Sequence, residues 1–261
     1  STTDTTFIAD GDTSNLAPAT YETWAYDENW CTKQGEDVTI DITPKPEVFA
    51  GNDTTICSNK NYETSPPASA DEYSSLEWNT NGDGNFSNPN SLNTTYNHAS
   101  SDVGNTIIIS LTAYGNENCS DSTHSFNLTI TEQPVADAGT DDNVCDTTYN
   151  LNANPSVGTG TWTQISGPGS ATFSPDQNDA NAQVEIDSYG TYEFQWEEIN
   201  GGCVDADTVE IEFTEQPEAD AGPDDSVCDS VYSLNANPSV GTGTWTQISG
   251  PGSATFSPAQ N

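Results

Sequence analysis

The chain has 261 residues, with 41 acidic side chains against 3 basic ones and a formal charge of −38. Its only cations are Lys33, Lys45 and Lys60, with no arginine, so nothing can neutralise phosphates or release their counterions; nucleic acid is excluded as a partner, and anionic membranes by the same repulsion. Hydrophobic residues make up 32 % and no apolar run approaches the ~20 residues of a membrane span, so the chain reads as soluble, without membrane insertion.

Low hydrophobicity with large net charge is the composition of a disordered chain. Two features argue for folding instead. Six Cys and six Trp recur at regular places, and apolar residues alternate with polar ones in short runs. The charge then acts to keep molecules apart in solution. Six Cys without zinc-type C-x-x-C spacing fit an oxidising, extracellular compartment. With no Met and no leader pattern, the chain reads as a mature or excised piece of a longer product.

Internal repetition sets the organisation. Residues 131–178 recur at 214–261 with seven substitutions, 83 positions on, and Pro46–Cys57 (PEVFAGNDTTIC) matches Pro134–Cys145 at an offset of 88. The second part of the unit repeats too, as YDENWC ending at Cys31, YGNENC ending at Cys119 and INGGC ending at Cys203. Residues 5–31 resemble 94–119, so 1–45 is expected to be the second half of a unit. Complete units are expected at 46–133 and 134–216, and 217–261 is expected to be a first half. Joined end to start, Phe256–Asn261 and Ser1–Phe7 resemble Phe86–Tyr96, as two halves that complete each other would.

In 134–216 turn signals fall every 8–12 residues and no 3.6-residue period survives. The pattern predicts strand A at Val135–Ala138 with Asn143–Cys145, B at Tyr149–Ala153, C at Thr161–Ser166, D at Ala171–Ser174, E at Ala182–Ile186, F at Thr191–Glu198 and G at Thr208–Phe213. Tyr192, Phe194 and Trp196 share one face of F, and Val209, Ile211 and Phe213 one face of G. That is the pattern of an antiparallel sheet with one wet side. The strand-C tryptophans Trp78, Trp162 and Trp245 are the expected core centres, because a buried Trp supplies on the order of 150–250 Å² of contact to a unit that is otherwise marginal.

With ADAGPDDSVC (219–228), the W-x-x-x-x-G spacing and the GC or NC pair after strand F, the unit resembles the PKD-like and immunoglobulin-like repeats of giant secreted surface adhesins of the Bacteroidota, of the gliding-motility type. The resemblance covers essentially the whole chain. It implies an all-β fold of tandem immunoglobulin-like (PKD-like) seven-stranded sandwiches arranged end to end, displayed at the bacterial cell surface for adhesion or filament building. One departure is Phe49, where the later copies have Asp137 and Asp220.

Each unit places one Cys at the A–B turn (Cys57, Cys145, Cys228) and one in the F–G hairpin (Cys31, Cys119, Cys203). Bridges within a unit, 57–119 and 145–203, are one reading. The other is a staple between successive units, such as Cys57 with Cys203. With strands alternately up and down, the two turns lie at opposite poles, ~17–20 Å apart for a five- or six-residue strand, whereas disulfide Cα atoms sit within about 7 Å.

Oxygen ligands cluster near the linkers at Asp137, Asp141, Asp142 and Asp146, and again at Asp220, Asp224, Asp225 and Asp229. They read either as a Ca²⁺ site stiffening a junction or as solvated turn formers. Asn79–Gly84 opens like a calcium loop but lacks the distal Glu, with Asn90 in its place. Asp53-Thr-Thr, Asp146-Thr-Thr and Asp207-Thr-Val match an O-glycosylation triplet. No catalytic residues and no cofactor are expected. His98 and His124 are the only histidines, lack a nucleophile context and read as surface residues. The function expected is a stiff extracellular rod or fibre for attachment, partnered by neighbouring repeats and by a surface glycan or protein. The alternative is a carbohydrate-binding or spacer module of a secreted enzyme, marked by exposed aromatics such as Trp24, Tyr26 and Trp30.

Overall fold

The computed structural model describes residues 19–21, 24–26, 32–35, 38–40, 43–116 and 119–257. They fall into two compact units, Ser1–Ile130 and Thr131–Asn261. Of the residues singled out above, Trp30 and Cys31 lie outside the described set, as do the side chains of Trp24 and Tyr26.

The first unit opens with β1 (Ala19–Tyr21), β2 (Trp24–Tyr26), β3 (Thr32–Gln34) and β4 (Val38–Ile40). They pair as two antiparallel two-stranded sheets, β1 with β4 and β2 with β3, with Ala19 opposite Ile40 and Tyr26 opposite Thr32. There follow β5 (Glu47–Phe49), β6 (Thr54–Cys57), β7 (Tyr62–Glu63), β8 (Ser69–Asp71), β9 (Tyr73–Thr80), β10 (Asn85–Phe86), β11 (Thr95–Asn97), a 3-10 turn at Ser100–Asp102, β12 (Thr106–Gly115) and β13 (Ser122–Thr131). One sheet runs β6-β13-β12-β9 and the facing one β10-β11-β7, with β5 and β8 paired to each other. Period-two alternation buries Ile107, Ile109, Leu111 and Ala113 from β12 and Phe126, Leu128 and Ile130 from β13 around Trp78. The ring of Phe86 stacks on that of Trp78 at 5.7 Å.

The second unit repeats the plan with β14 (Asp142–Val144), β15 (Thr148–Asn150), β16 (Thr159–Ser166), β17 (Ala171–Ser174), β18 (Gln183–Ile186), β19 (Gly190–Asn200) and β20 (Cys203–Phe213). Its sheets are β14-β20-β19-β16 and β15-β18-β17, the two-sheet order of an immunoglobulin-like sandwich. Trp162 is 0 % exposed, its ring tilted 5.2 Å from that of Trp196. The Gly160 Cα lies so close to the Trp196 indole that a Cβ there would meet it at 1.8 Å. The long β19–β20 ribbon turns on Gly201 and Gly202, with φ of 53° and 92°. Two successive positive φ values are what a two-residue type I′ hairpin demands, and they set Asn200 opposite Cys203.

Strands B to G fall where expected, to within a few residues. Strand A does not. Residues 135–138 form no ladder and are tied down by carboxylates of β20, the amides of Ala136 and Ala138 donating to Asp205 and Asp207 at 2.9 Å each. Only β14 pairs, in parallel with β20. The larger correction concerns 217–257, which contain no strand and are mostly exposed. Trp245, expected as a core centre, is only half-buried.

Candidate functional site

The parallel pairing of β14 with β20 decides what the cysteines of one unit can do. Val144 lies opposite Phe213, at the far end of β20 from Cys203. Ten residues of strand separate the two poles by about 33 Å, well beyond disulfide reach. Cys145 sits instead beside Thr214, whose hydroxyl is 3.4 Å from its Sγ. Cys57 and Cys203 are each disulfide-bonded, while Cys119, Cys145 and Cys228 are free thiols. Neither bridge within a unit, 57–119 or 145–203, is formed.

The linker acids hold backbone. Asp141 accepts the Glu210 amide at 2.9 Å, and its counterpart Asp53 accepts the Asn127 amide at 2.7 Å. In both units this Asp ties the start of the A-strand ladder to strand G. The Asn127 amide and side chain hold the Asp53 carboxyl below its usual range. Asp137 and Asp220 close tight turns by accepting the amides of Gly139 and Gly222. Asp142 and Asp225 accept the amides that follow them, and Asp146 those of Thr147 and Thr148. Among the described residues no three or more His, Cys, Asp or Glu side chains gather as metal ligands would. As arranged, the carboxylates do not fit a Ca²⁺ site, which needs six to eight convergent oxygens.

The Asn79–Gly84 loop has the opposite polarity to a calcium loop. Its amides at Asp83 and Gly84 point inward and donate to the buried Asp102 carboxylate at 2.8 and 3.0 Å. Asp102 also accepts the Ala99 amide and the Tyr96 hydroxyl. Burial opposes its ionisation, but these four donors outweigh burial and hold its carboxyl below the usual range. Tyr96 is pushed up to about 12, by burial first and then by the bond to Asp102. A carboxylate with two or three amide donors is stabilised in its charged form.

The second unit has its own buried carboxylate, Glu198, 1 % exposed. It accepts the amides of Ser156 and Val157, the Ser156 hydroxyl and the Trp196 indole N–H. Here too burial works to raise the pKa, and the Ser156, Trp196 and amide donors overcome it and lower it. Neither Asp102 nor Glu198 stood out in the sequence. Parity was a usable signal for Glu198, which continues the inward set Tyr192, Phe194, Trp196. The histidines are half-buried rather than surface residues: the His124 Nδ1 accepts the Ala50 amide at 3.2 Å, and the His98 ring bonds to the Ser58 carbonyl at 3.0 Å.

A hollow of about 90 Å³ lies between Ala138, Gly139, Tyr149, Leu151 and Val209. It is far smaller than the roughly 300–1,000 Å³ of small-molecule pockets. Among the described residues no helix is long and apolar enough to cross a membrane.

No protein-family model matches the chain, and no curated protein matches it. Solved structures do. The PKD domain from KIAA 1837 protein is 20 % identical with a TM-score of 0.28, over 35 % of this chain and 92 % of that one. Drosophila OTK extracellular domains 3–5 are 8 % identical with a TM-score of 0.43, over 76 % of this chain and 71 % of that one. An I-band fragment of titin is 11 % identical with a TM-score of 0.33, over 78 % and 68 %. The fold itself is carried by the strand pairing: this is an all-β chain with immunoglobulin-like, PKD-like sandwiches.

Proposed function

We propose that the chain is a structural and adhesive repeat region of an extracellular protein, its sandwiches joined end to end into a stiff rod. The observation that carries this is the placement of the cysteines at opposite poles of a sandwich, with Cys57 and Cys203 oxidised and Cys145 not. On this reading Cys57 of one sandwich is bridged to Cys203 of the next. A covalent tie at each junction removes the bending freedom of a linker and transmits tension along the array. Oxidised cysteines favour a secreted location, here the bacterial cell surface. The acidic faces keep rods apart, and repetition multiplies weak contacts to a surface glycan or protein through effective concentration. The buried carboxylates are saturated with protein donors and serve structure rather than catalysis.

Non-reducing peptide mapping tests the reading. The expected product is a single linked peptide pair containing Cys57 and Cys203. A 145–203 or 57–119 pair would defeat it. Electron micrographs of the intact protein are expected to show threads, and compact globules would count equally against it.

A further inference from the structure

The two sandwiches carry matching sheets with opposite surfaces. Trp78 lies opposite Leu111 and Trp162 opposite Trp196, which aligns β12 with β19 and, through their ladders, β13 with β20. The outward side chains of β19 and β20 pair as Thr191 with Glu212, Glu193 with Glu210, Gln195 with Thr208 and Glu197 with Ala206. Those of β12 and β13 pair at the same places as Thr106 with Thr129, Ile108 with Asn127, Ser110 with Ser125 and Thr112 with Thr123. Four glutamates in one ladder thus correspond to no charge in the other. Like charges directly opposite cost stability, whereas Thr–Thr pairs add to it. Here the hydroxyls of Thr106 and Thr129 bond at 2.8 Å and those of Thr112 and Thr123 at 2.9 Å. Of the bordering carboxylates, Asp53 is held by the Asn127 side chain, and Glu77, opposite Thr112, accepts the Tyr114 hydroxyl. In a chain with 41 acidic residues this leaves an uncharged field, with Ile108 47 % exposed within it.

We infer that this face of the first sandwich, formed by β12 and β13 with the flanking β9, docks the same face of a second copy of the chain. The charge balance selects the occupant. Two copies that each carry −38 approach only where neither face adds like charge, and the β19–β20 face repels its own image. A cationic partner would take that acidic face instead. Hydroxyl and amide groups both donate and accept, whereas carboxylates only accept, so a face of hydroxyls and amides is complementary to itself across a two-fold axis. Sheets pack face to face about 10 Å apart, and Ile108 of each copy supplies the apolar contact. With eight ladder pairs and four strands, the face spans about 500 Å² per copy. The pair then buries about 1,000 Å², at the low end of specific interfaces. The association is therefore weak and reversible, and it joins chains sheet to sheet whether or not their sandwiches also form a rod.

The experiment is sedimentation equilibrium of the full 261-residue chain from micromolar to millimolar concentration, at low and high salt. The mass is expected to rise from 27.7 kDa toward twice that value. Added salt should strengthen the pairing, because it screens repulsion between copies over about 8 Å or less. Ile108→Glu with Thr129→Glu copies Glu193 and Glu212 into the first sandwich. It should raise the dissociation constant about tenfold or more and leave the thermal melt in place. Should the melt shift, Ser125→Glu at an exposed position of the same face reads the same loss. Glu193→Gln with Glu210→Gln should not weaken the pairing. A single-chain mass at every condition overturns the inference. So does pairing that survives the substitutions on β12 and β13, which would place the contact at the exposed apolar side chains of 217–257. Pairing lost with Glu193→Gln and Glu210→Gln overturns it too, by placing the contact on the acidic face. None of these failures bears on the cysteine mapping that tests the rod.

Discussion

Residues 134–178 and 217–261 differ at seven positions yet are folded differently, and the comparison isolates what a strand needs. Both copies keep their local bonds. The Gln164 side chain donates to the Gly169 carbonyl and accepts the Ala171 amide, and Gln247 does the same with Gly252 and Ala254. Val135 and Glu218 both donate to the serine 21 residues on. What differs is everything long-range. Leu151 is 2 % exposed and Leu234 46 %; Ile165 is 49 % exposed and Ile248 97 %. The Ser156 amide donates to Glu198, whereas the Ser239 amide turns to the Glu218 carbonyl. The β1–β4 and β2–β3 pairs show the converse, since each forms a two-stranded sheet of its own.

The sharpest way to break this comparison is to remove the same tryptophan from each copy. Trp162→Ala should cost about 3–5 kcal/mol, enough to unfold the second sandwich in a thermal melt followed by circular dichroism. Trp245→Ala should leave that melt unchanged, and equal effects would show that both copies are packed. Glu198→Gln comes next. It keeps the shape but loses charge-assisted bonds worth about 1.5–3 kcal/mol each, and has no counterpart in the strand-free copy. The sign with pH follows from a folded pKa lowered below the ordinary 4.5: the carboxylate's contribution is complete above about pH 4.5 and is lost as pH falls through the lower folded value. Wild type and Glu198→Gln should therefore converge in stability on acidification, and a gap independent of pH would contradict this. The smallest effect is expected from Asp141→Ala, which frees the Glu210 amide and should lower the melting temperature by about 4–8 °C, while Asp224→Ala should do nothing.

Much of this was legible in advance. Alternation located strands B to G of the second unit, and the inward face of F and G was read residue by residue. Strand A misled because Val135–Ala138 has the alternation of a strand, yet its amides are met by Asp205 and Asp207 from 69 residues away. The linker acids looked like ligands because composition does not reveal whether a carboxylate faces an amide or an open site. Glu198 and Asp102 were missed because a buried acid is recognised only by its donors, and those come from distant loops.

By itself the sequence determined the period, the turns and the alternation, all of which depend on neighbours a few residues apart. Whether a segment became a strand, a carboxylate became a clamp or a thiol met a partner was decided only by tertiary structure. Ladder bonds and buried faces join residues dozens of positions apart, so two segments that differ at only seven positions adopt different structures.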